Sequence, residues 1–464
     1  MSQPFPPLLD DVHSRLSESR PARYEVPRDA DELAYIVATS TPRAMAICAG
    51  RHAMGGQQFI DGGLQIDMQA MKRVIEFDAA RGLITVEAGI QWPALMEYLE
   101  TDPANRHHGW GIRQKQTGAD RFSIGGSLAA NIHGRGLEMK PLVDDIESFA
   151  LIDARGQSIE CDRHHNAELF SLVIGGYGLF GVVASVTLRL VAHFPVVREV
   201  ELIKIDGLLA RLAERISEGC VYGDFQFAID AASADFLRVG ILSCYRRLPA
   251  DTPLTTEPLH LADADWARLL HLAHVDKSRA FTQFRDFYLR SHGQIYRSDE
   301  HQAGYYLDGY HGLLDTSLEH TGTEVISELY VPRARLVEFM REAAKRLRDA
   351  RADVIYGTVR LIERDDETVL AWAREPWACI IFNLHTVHTA KGIAHTAHCK
   401  QLLVELALAC GGSYYLTYHR FPTREQLHAA HPRFAQFIEA KRRYDPMQRW
   451  SSNWYRHYAG AAMS

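Results

Sequence analysis

Ala49-Gly50-Arg51-His52-Ala53-Met54-Gly55-Gly56-Gln57 is the stretch whose reading decides the first part of this chain. It follows a short apolar run, Ala44 to Cys48, and sets a histidine among three glycines. A second glycine stretch, Ser123-Ile124-Gly125-Gly126-Ser127, comes later. Either alone reads as a turn. Backbone N–H groups in a glycine-rich loop can hold a pyrophosphate, because no Cβ blocks its approach. Two such loops among alternating strand and helix patterns read as two cradles for one phosphate-bearing cofactor.

The flanking patterns are α/β. Asp29 and Asp31 sit where helix N-caps belong, before Leu33-Ala34-Tyr35-Ile36-Val37. Short strands are predicted over 64–67 and 74–77, a turn over 78–82, and a β-branched strand over 83–88. Gly89 leads into a helix near 93–99, where proline in the first turn is tolerated. Strands follow over 146–153 and 182–190. From about 195 strand-like pieces (200–205, 225–229, 239–243) mix with helical patterns over 266–289 and 332–350. This second region reads as an antiparallel sheet with helices. The last forty residues are rich in aromatics, which a disordered tail would not be. They are expected to pack back onto the first domain.

The chain has 464 residues, too many for one ordinary core, so two domains are expected. Its net charge of −7 leaves no basic surplus for nucleic acid. No apolar run approaches the ~20 residues of a membrane span. Met1 to Pro6 lacks a basic start and an apolar core, so no secretory signal is expected. Seven scattered cysteines fit reduced thiols and a cytoplasmic location.

Two other motifs compete. Gly176-Tyr177-Gly178-Leu179-Phe180-Gly181 is formally GxGxxG, but strand-like Val182 to Leu188 follows it where a dinucleotide site needs a helix. A glycine turn before a strand is the plainer reading. His385-Thr386-Val387-His388 and His395-Thr396-Ala397-His398-Cys399 offer imidazole and thiolate suited to zinc. HxxH is short and histidines number 23, so no metal is expected.

At the glycine stretches the chain resembles flavoproteins of the vanillyl-alcohol-oxidase type, whose flavin domain is also called the p-cresol-methylhydroxylase (PCMH) type. Gly50 to Gln57 is close to the cytokinin-dehydrogenase form. Ser123 to Gly134 and Asp145 to Gly156 resemble sugar and alditol oxidases and decaprenylphosphoryl-ribose oxidases. Glu168-Leu169-Phe170 to Gly181-Val182 is similar to the end of the flavin domain. Tyr415-Leu416-Thr417 and Tyr444-Asp445-Pro446 look like the same relatives. The likeness covers most of 20–193 and 410–455 and is weak over 195–320, where substrate is chosen.

The resemblance implies an α+β fold: a two-subdomain PCMH-type FAD-binding domain plus an antiparallel-sheet-and-helix substrate (cap) domain. The expected division is 1–194 for FAD, 195–410 for the cap, and 411–464 returning to the FAD domain. In many members the histidine at the position of His52 is bonded to the flavin 8α-methyl, so covalent FAD through His52 is expected. The decaprenylphosphoryl-ribose oxidases lack that bond, which keeps a packing role for His52 open. No cysteine lies between Arg113 and Ile124, so a second bond is not expected. Cofactor contacts are expected from Gly50, Arg51, His52, Ala53, Met54, Gly55 and Gln57 in the first stretch. Around the second they are Thr117, Gly118, Ser123, Gly125, Gly126, Ser127, Ala130, Asn131 and His133. Gly181, Val182 and Asn453 complete the set.

Oxidising an alcohol or amine with a flavin needs a base and groups that stabilise the reduced ring. The catalytic candidates are Arg360, Tyr418, His419, Glu328 and His133. Arg360 matches a substrate-site arginine of alditol oxidases, although Thr358 stands where those enzymes show Glu. Glu328 resembles a polar position of the decaprenylphosphoryl-ribose oxidases, and Tyr418 falls where those relatives carry an active-site Lys. His419 or His133 could be the base. Each has a plainer role: ion pair, packed ring or satisfied histidine. The cytokinin-dehydrogenase acid falls on Gly118 here, with Asp120 two residues away. The expected reaction is oxidation of a CH–OH donor (sugar, polyol or related alcohol) by hydride transfer to flavin N5. O2 or another acceptor then reoxidises the flavin. The expected partners are thus a small-molecule substrate and an electron acceptor. An amine donor, or a flavin-fold protein that binds without oxidising, are the alternatives.

Overall fold

A computed structural model describes residues 6–40, 43–304 and 309–459. The reading of the first five residues as free of a targeting signal lies outside them, as do the extreme ends of the 1–194 and 411–464 units. Three short strands form a parallel sheet: β1 (Arg23–Glu25), β2 (Met45–Cys48) and, between them, β3 (Leu64–Asp67). Helix α1 (Ala30–Thr39) joins β1 to β2. Asp29 caps it by accepting from the Glu32 N–H, and Leu33, Ile36 and Val37 bury one face at helical spacing.

Next in the chain come β4 (Val74–Asp78), β5 (Leu83–Glu87), helices α2 (Trp92–Thr101) and α3 (Asn105–His108), and β6 (Trp110–Gly111). Helix α4 (Ile124–Ala130), β7 (Ile146–Ile152), β8 (Ser158–Asp162), helix α5 (Ala167–Val173), β9 (Val182–Arg189) and β10 (Val191–Ala192) follow. Five of these strands make an antiparallel sheet in the order β4-β5-β9-β7-β8, while β6 and β10 pair separately. The GxGxxG run leads straight into β9, so its plainer reading holds. The second glycine stretch corrects the expectation of a loop: it is the first turn of α4, capped by Ser123 accepting from the Gly126 N–H.

The third sheet is antiparallel throughout. It uses β11 (Pro195–Lys204), β12 (Cys220–Phe227), β13 (Val239–Arg247), β14 (Ile295–Arg297), β15 (Gly322–Pro332), β16 (Val354–Ile362), β17 (Trp377–Val387) and β18 (Ser413–Tyr414). Their order is β14-β11-β13-β12-β16-β17-β15-β18. Helices α6 (Leu208–Ser217), α7 (Asp263–Val275), α8 (Lys277–Arg290), α9 (Tyr310–Leu318), α10 (Leu336–Asp349) and α11 (Ala390–Ala409) are interleaved with them. The helical pattern over 266–289 is two helices, because Asp276 leaves helical backbone (φ −152°) and its side chain caps α8 at Arg279. The pattern over 332–350 becomes α-helix only at Leu336, because Pro332 still ends β15 and Arg333–Arg335 form a 3-10 turn.

The expected boundary at 410 cuts this sheet, because β18 lies beyond it. Helices α12 (Arg424–Ala430), α13 (Phe434–Tyr444) and α14 (Asn453–Ala459) then lead back. Trp450 bridges to Met45 on the edge strand β2, so the aromatic tail docks on the first sheet as expected. One continuous apolar core joins the second and third sheets, taking in Ile84 and Phe149 as well as Phe225, Tyr330 and Trp377.

Candidate active site

A cavity of about 1390 Å³ opens where the glycine stretches meet the third sheet. That exceeds the ~300–1,000 Å³ usual for one small ligand and leaves room for a dinucleotide with a substrate beside it. Helices α7 and α8 supply an apolar wall that includes Leu269, Phe281, Phe284 and Phe287.

The first stretch is built to receive an anion. Among the described residues, the N–H groups of Gly50, Arg51, His52 and Ala53 have no hydrogen-bond acceptor. Arg51 is left-handed (φ 57°), so these donors turn together, as in an anion-binding nest. A Cβ on Gly50 would lie 2.5 Å from the Arg121 carbonyl oxygen, which excludes any larger residue. His52 is buried, and its Nδ1 is 2.9 Å from His13 Nε2. Its own Nε2 is buried without a hydrogen-bond partner, and the residue lines the cavity. Burial, then the neighbouring His13, pushes His52 down to about 3, so the ring is neutral and nucleophilic. These features fit a flavin.

Gly50, Arg51, His52, Ala53, Gln57, Thr117, Gly118, Ser123, Gly125, Gly126, Ala130, Gly181 and Val182 all line the cavity. Six expected cofactor contacts do not. Met54 is buried core. Gly55 is glycine because a Cβ there would lie 2.6 Å from the Tyr418 carbonyl oxygen. Ser127 accepts from the Trp92 indole, and Asn131 donates to Asp365. His133 faces Glu328, and Asn453 accepts from the Asp61 N–H in docking the tail. The α4 turn is also no phosphate cradle. Ile124 and Gly125 donate their N–H groups to the carbonyls of Ile90 and Ala88, and Gly126 donates to Ser123 Oγ.

The catalytic candidates separate. Tyr418 and Arg360 line the cavity; Glu328, His133 and His419 do not. Glu328 is fully buried behind Tyr418, whose hydroxyl donates to its Oε2 at 3.1 Å. Tyr330 donates to Oε1 at 2.5 Å, and His133 Nε2 donates to the same oxygen at 2.6 Å. His133 Nδ1 faces the Gly134 carbonyl at 3.0 Å. Burial raises the Glu328 carboxyl, but His133, Tyr330 and Arg360 outweigh it and hold the group below its ordinary value. Burial, then Glu328, raises the Tyr418 phenol far above its ordinary value. His419 is a correction: its ring stacks on Phe421 with centroids 4.8 Å apart, away from the cavity, and burial pushes it down to about 3.

The two stretches and Tyr418 are tied by backbone. Met54 donates its N–H to the Thr417 carbonyl at 3.0 Å, and Gln57 Nε2 donates to Leu416 at 2.5 Å. Arg360 is held by the Gly134 carbonyl at 3.4 Å. The carboxylate that Thr358 lacks comes from the next strand. Asp224, on the cavity wall, accepts from Thr358 Oγ1 at 3.4 Å and Gln226 Nε2 at 3.0 Å. Asp120 is paired with Lys115 and accepts from the Gly304 N–H, so it is not placed as an amine base.

Sequence reasoning missed His13, Tyr330, Asp224 and Lys400. Lys400 is buried with Nζ 5.7 Å from the centre of the Tyr418 ring, and burial lowers it to about 7. None of the four lies in a local motif; the period-2 face of β15 that carries Glu328 and Tyr330 was the one available signal. The HxxH pairs do not converge. His388 Nε2 is 2.7 Å from Thr323 Oγ1, while His395 sits on α11 beside Cys399.

Residues 21–162 match the model of the FAD binding domain family. The chain carries an FAD-binding domain. This domain contains both glycine stretches, while Asp224, Glu328, Arg360 and Tyr418 lie beyond the match. The chain is 29% identical over 217 residues to an uncharacterized oxidoreductase, ORF5 of the fasciation locus of Rhodococcoides fascians, covering 42% of this chain and 44% of that protein. It is 27% identical over 200 residues to the mitochondrial L-galactono-1,4-lactone dehydrogenase of Arabidopsis thaliana, covering 42% and 32%. It is 30% identical over 192 residues to an L-gulono-1,4-lactone dehydrogenase of Mycobacterium tuberculosis, covering 40% and 42%. The similarity thus spans less than half the length of each relative. No helix of the described residues is long and apolar enough to cross a membrane.

Proposed function

We propose that this chain is an FAD-dependent oxidoreductase that oxidises a CH–OH group of a sugar lactone or related polyol. One observation carries the reading. The cavity that takes in the free N–H groups of residues 50–53 is also walled by Tyr418, whose hydroxyl is bonded to the buried Glu328 carboxylate. The lactone names of two relatives favour a sugar-lactone donor over a simple alcohol.

FAD, when bound, would supply the hydride acceptor and the route for electrons to O2 or another acceptor. Residues 50–53 would hold its pyrophosphate, and His52 would present its Nε2 for a covalent link. Tyr418 takes the donor's hydroxyl proton as its own proton passes to Glu328 Oε2, since a phenol this buried does not ionise alone. His133 and Tyr330 hold Glu328 in place for that transfer. Arg360 brings positive charge to the wall, where negative charge develops. Asp224 accepts from a second donor hydroxyl. The same reading divides the chain into a two-subdomain flavin part (1–194), a cap from 195 whose sheet runs on to β18, and a segment after it that returns to the flavin part. A reducing, cytoplasmic location accords with seven buried, unpaired cysteines.

The test is an absorbance spectrum of the pure protein, then anaerobic addition of aldono-1,4-lactones, polyols and amines. Bleaching by a lactone or polyol is expected. Bleaching by amines alone would transfer the reading to an amine oxidoreductase. Failure to take up flavin on reconstitution with FAD would sink it.

A further inference from the structure

The face of β15 that carries Glu328 also carries Glu324, about 13 Å away along the strand. Glu324 is the direct cross-strand partner of His385 on β17, and His274 of α7 reaches both. His274 Nε2 lies 3.4 Å from Glu324 Oε1, the His274 and His385 rings meet edge-on with centroids 4.7 Å apart, and the three donor atoms all lie within 4.8 Å of one another.

The hydrogen bonds around these side chains fix which atoms point inward. His274 Nδ1 donates to the Leu270 carbonyl at 2.7 Å, so in the neutral ring Nε2 carries the lone pair. His320 Nδ1 donates to the Leu318 carbonyl at 2.9 Å, which leaves His320 Nε2 to accept from His385 Nε2, also at 2.9 Å. The lone pair of His385 is therefore on Nδ1. Tyr310 donates to Glu324 Oε2 at 2.6 Å, leaving Oε1 to the cluster. Among the described residues, His274 Nε2, His385 Nδ1 and Glu324 Oε1 are all buried without a hydrogen-bond partner. The His274 side chain is 2% exposed and that of Glu324 is 8% exposed.

With His274 neutral, three acceptors face one another with no donor between them, an arrangement that a cation completes. Among the described residues the other trio of this kind, His133, Glu328 and Cys379, is already supplied with donors, because Tyr330, Tyr418 and His133 donate to its carboxylate. We propose that His274, Glu324 and His385 bind a divalent transition-metal ion of the zinc class, clamping α7 to the β15–β17 sheet at the cavity wall. Two imidazoles and a carboxylate are a zinc donor set that keeps a fourth position open. Each ligating ring donates its second N–H outward, to a carbonyl or to His320, as ligating histidines do. Ligand atoms of a tetrahedral zinc stand about 3.3 Å apart, which the His274–Glu324 contact already meets. His311 Nδ1, 3.7 Å from Glu324 Oε2, adds a further imidazole at the rim.

The experiment is calorimetric titration with Zn²⁺ alone of the flavin-loaded protein after chelator treatment, with flavin absorbance recorded on each sample as a check of folding. One Zn²⁺ per chain is expected, with a rise in Tm on binding. Glu324→Gln and His274→Ala should each weaken binding more than tenfold. His320→Phe should weaken it about 10- to 100-fold through loss of the outer hydrogen bond. His388→Ala should leave it unchanged. No stoichiometric binding by the wild type, or binding retained by the Glu324→Gln/His274→Ala double variant at full flavin content, would overturn the proposal. So would binding lost with His388 alone.

Discussion

The free N–H groups at residues 50–53 and the orphan Nε2 of His52 concentrate the site's chemistry in four residues. Removing the ring tests the covalent expectation. His52→Ala should move yellow colour from the acid-precipitated pellet to the supernatant; wild-type colour already in the supernatant would show that His52 only packs there. Tyr418→Phe deletes the hydroxyl on Glu328 while keeping the ring packed, so flavin content should hold and kcat should fall about 10²- to 10⁴-fold. Steady-state kinetics with the bleaching substrate measure it, and an unchanged kcat would remove Tyr418 from the proton path. Asp224→Asn should act differently. Losing a charged acceptor for a donor hydroxyl is worth about 1.5–3 kcal/mol. KM should therefore rise about 10- to 100-fold with kcat moved far less.

Among elements, α4 carries the clearest consequence. Ser123 caps it, and Gly125 lets its first turn press against β5, because a Cβ there would stand 2.7 Å from the Ala88 Cβ. Gly125→Ala should therefore destabilise the protein by about 1–3 kcal/mol through overpacking. Ser123→Ala should cost about 1 kcal/mol through loss of the cap. Urea midpoints check both, and a neutral Gly125→Ala would show that α4 can shift away from β5. The same element shows the limit of local pattern. Glycine, isoleucine and serine read as a loop in isolation. They fold as a helix start because the carbonyls of Ala88 and Ile90 capture the N–H groups of Gly125 and Ile124.

Over the whole molecule, buried histidines set the response to acid. Burial is the first cause in each case, and it holds His13 down to about 4 and His52, His419 and His431 down to about 3. Their unfolded value is 6.5, so between the two the unfolded chain binds more protons and stability rises with pH. That contribution is whole above 6.5 and is lost as pH falls below it. Asp11 and Asp145, raised from 3.8 to about 6, act in the opposite sense between those values, but they are two against four. Urea unfolding at about pH 7.5 and about pH 5 should give a clearly lower midpoint in acid; an equal or higher one would mean the histidines are hydrated.

The sequence by itself determined the flavin half. Gly50 and the N–H groups after it, the Asp29 cap, strand β5, and β9 following GxGxxG are local facts, set by φ preference, capping and side-chain period within a few residues. The docking of the tail was legible because Trp450 and its neighbours could not stay in water. Tertiary structure alone decided the chemistry beyond the cofactor. Glu328 became a buried anion only when His133, Tyr330 and Tyr418, far apart in the chain, closed on it. His419 was turned away from the cavity, and Asp224 came from a neighbouring strand to stand beside Thr358. Glu324, His274 and His385 met through strand register and a helix broken at Asp276. Such convergence depends on contacts between residues distant in sequence, and no local pattern encodes those.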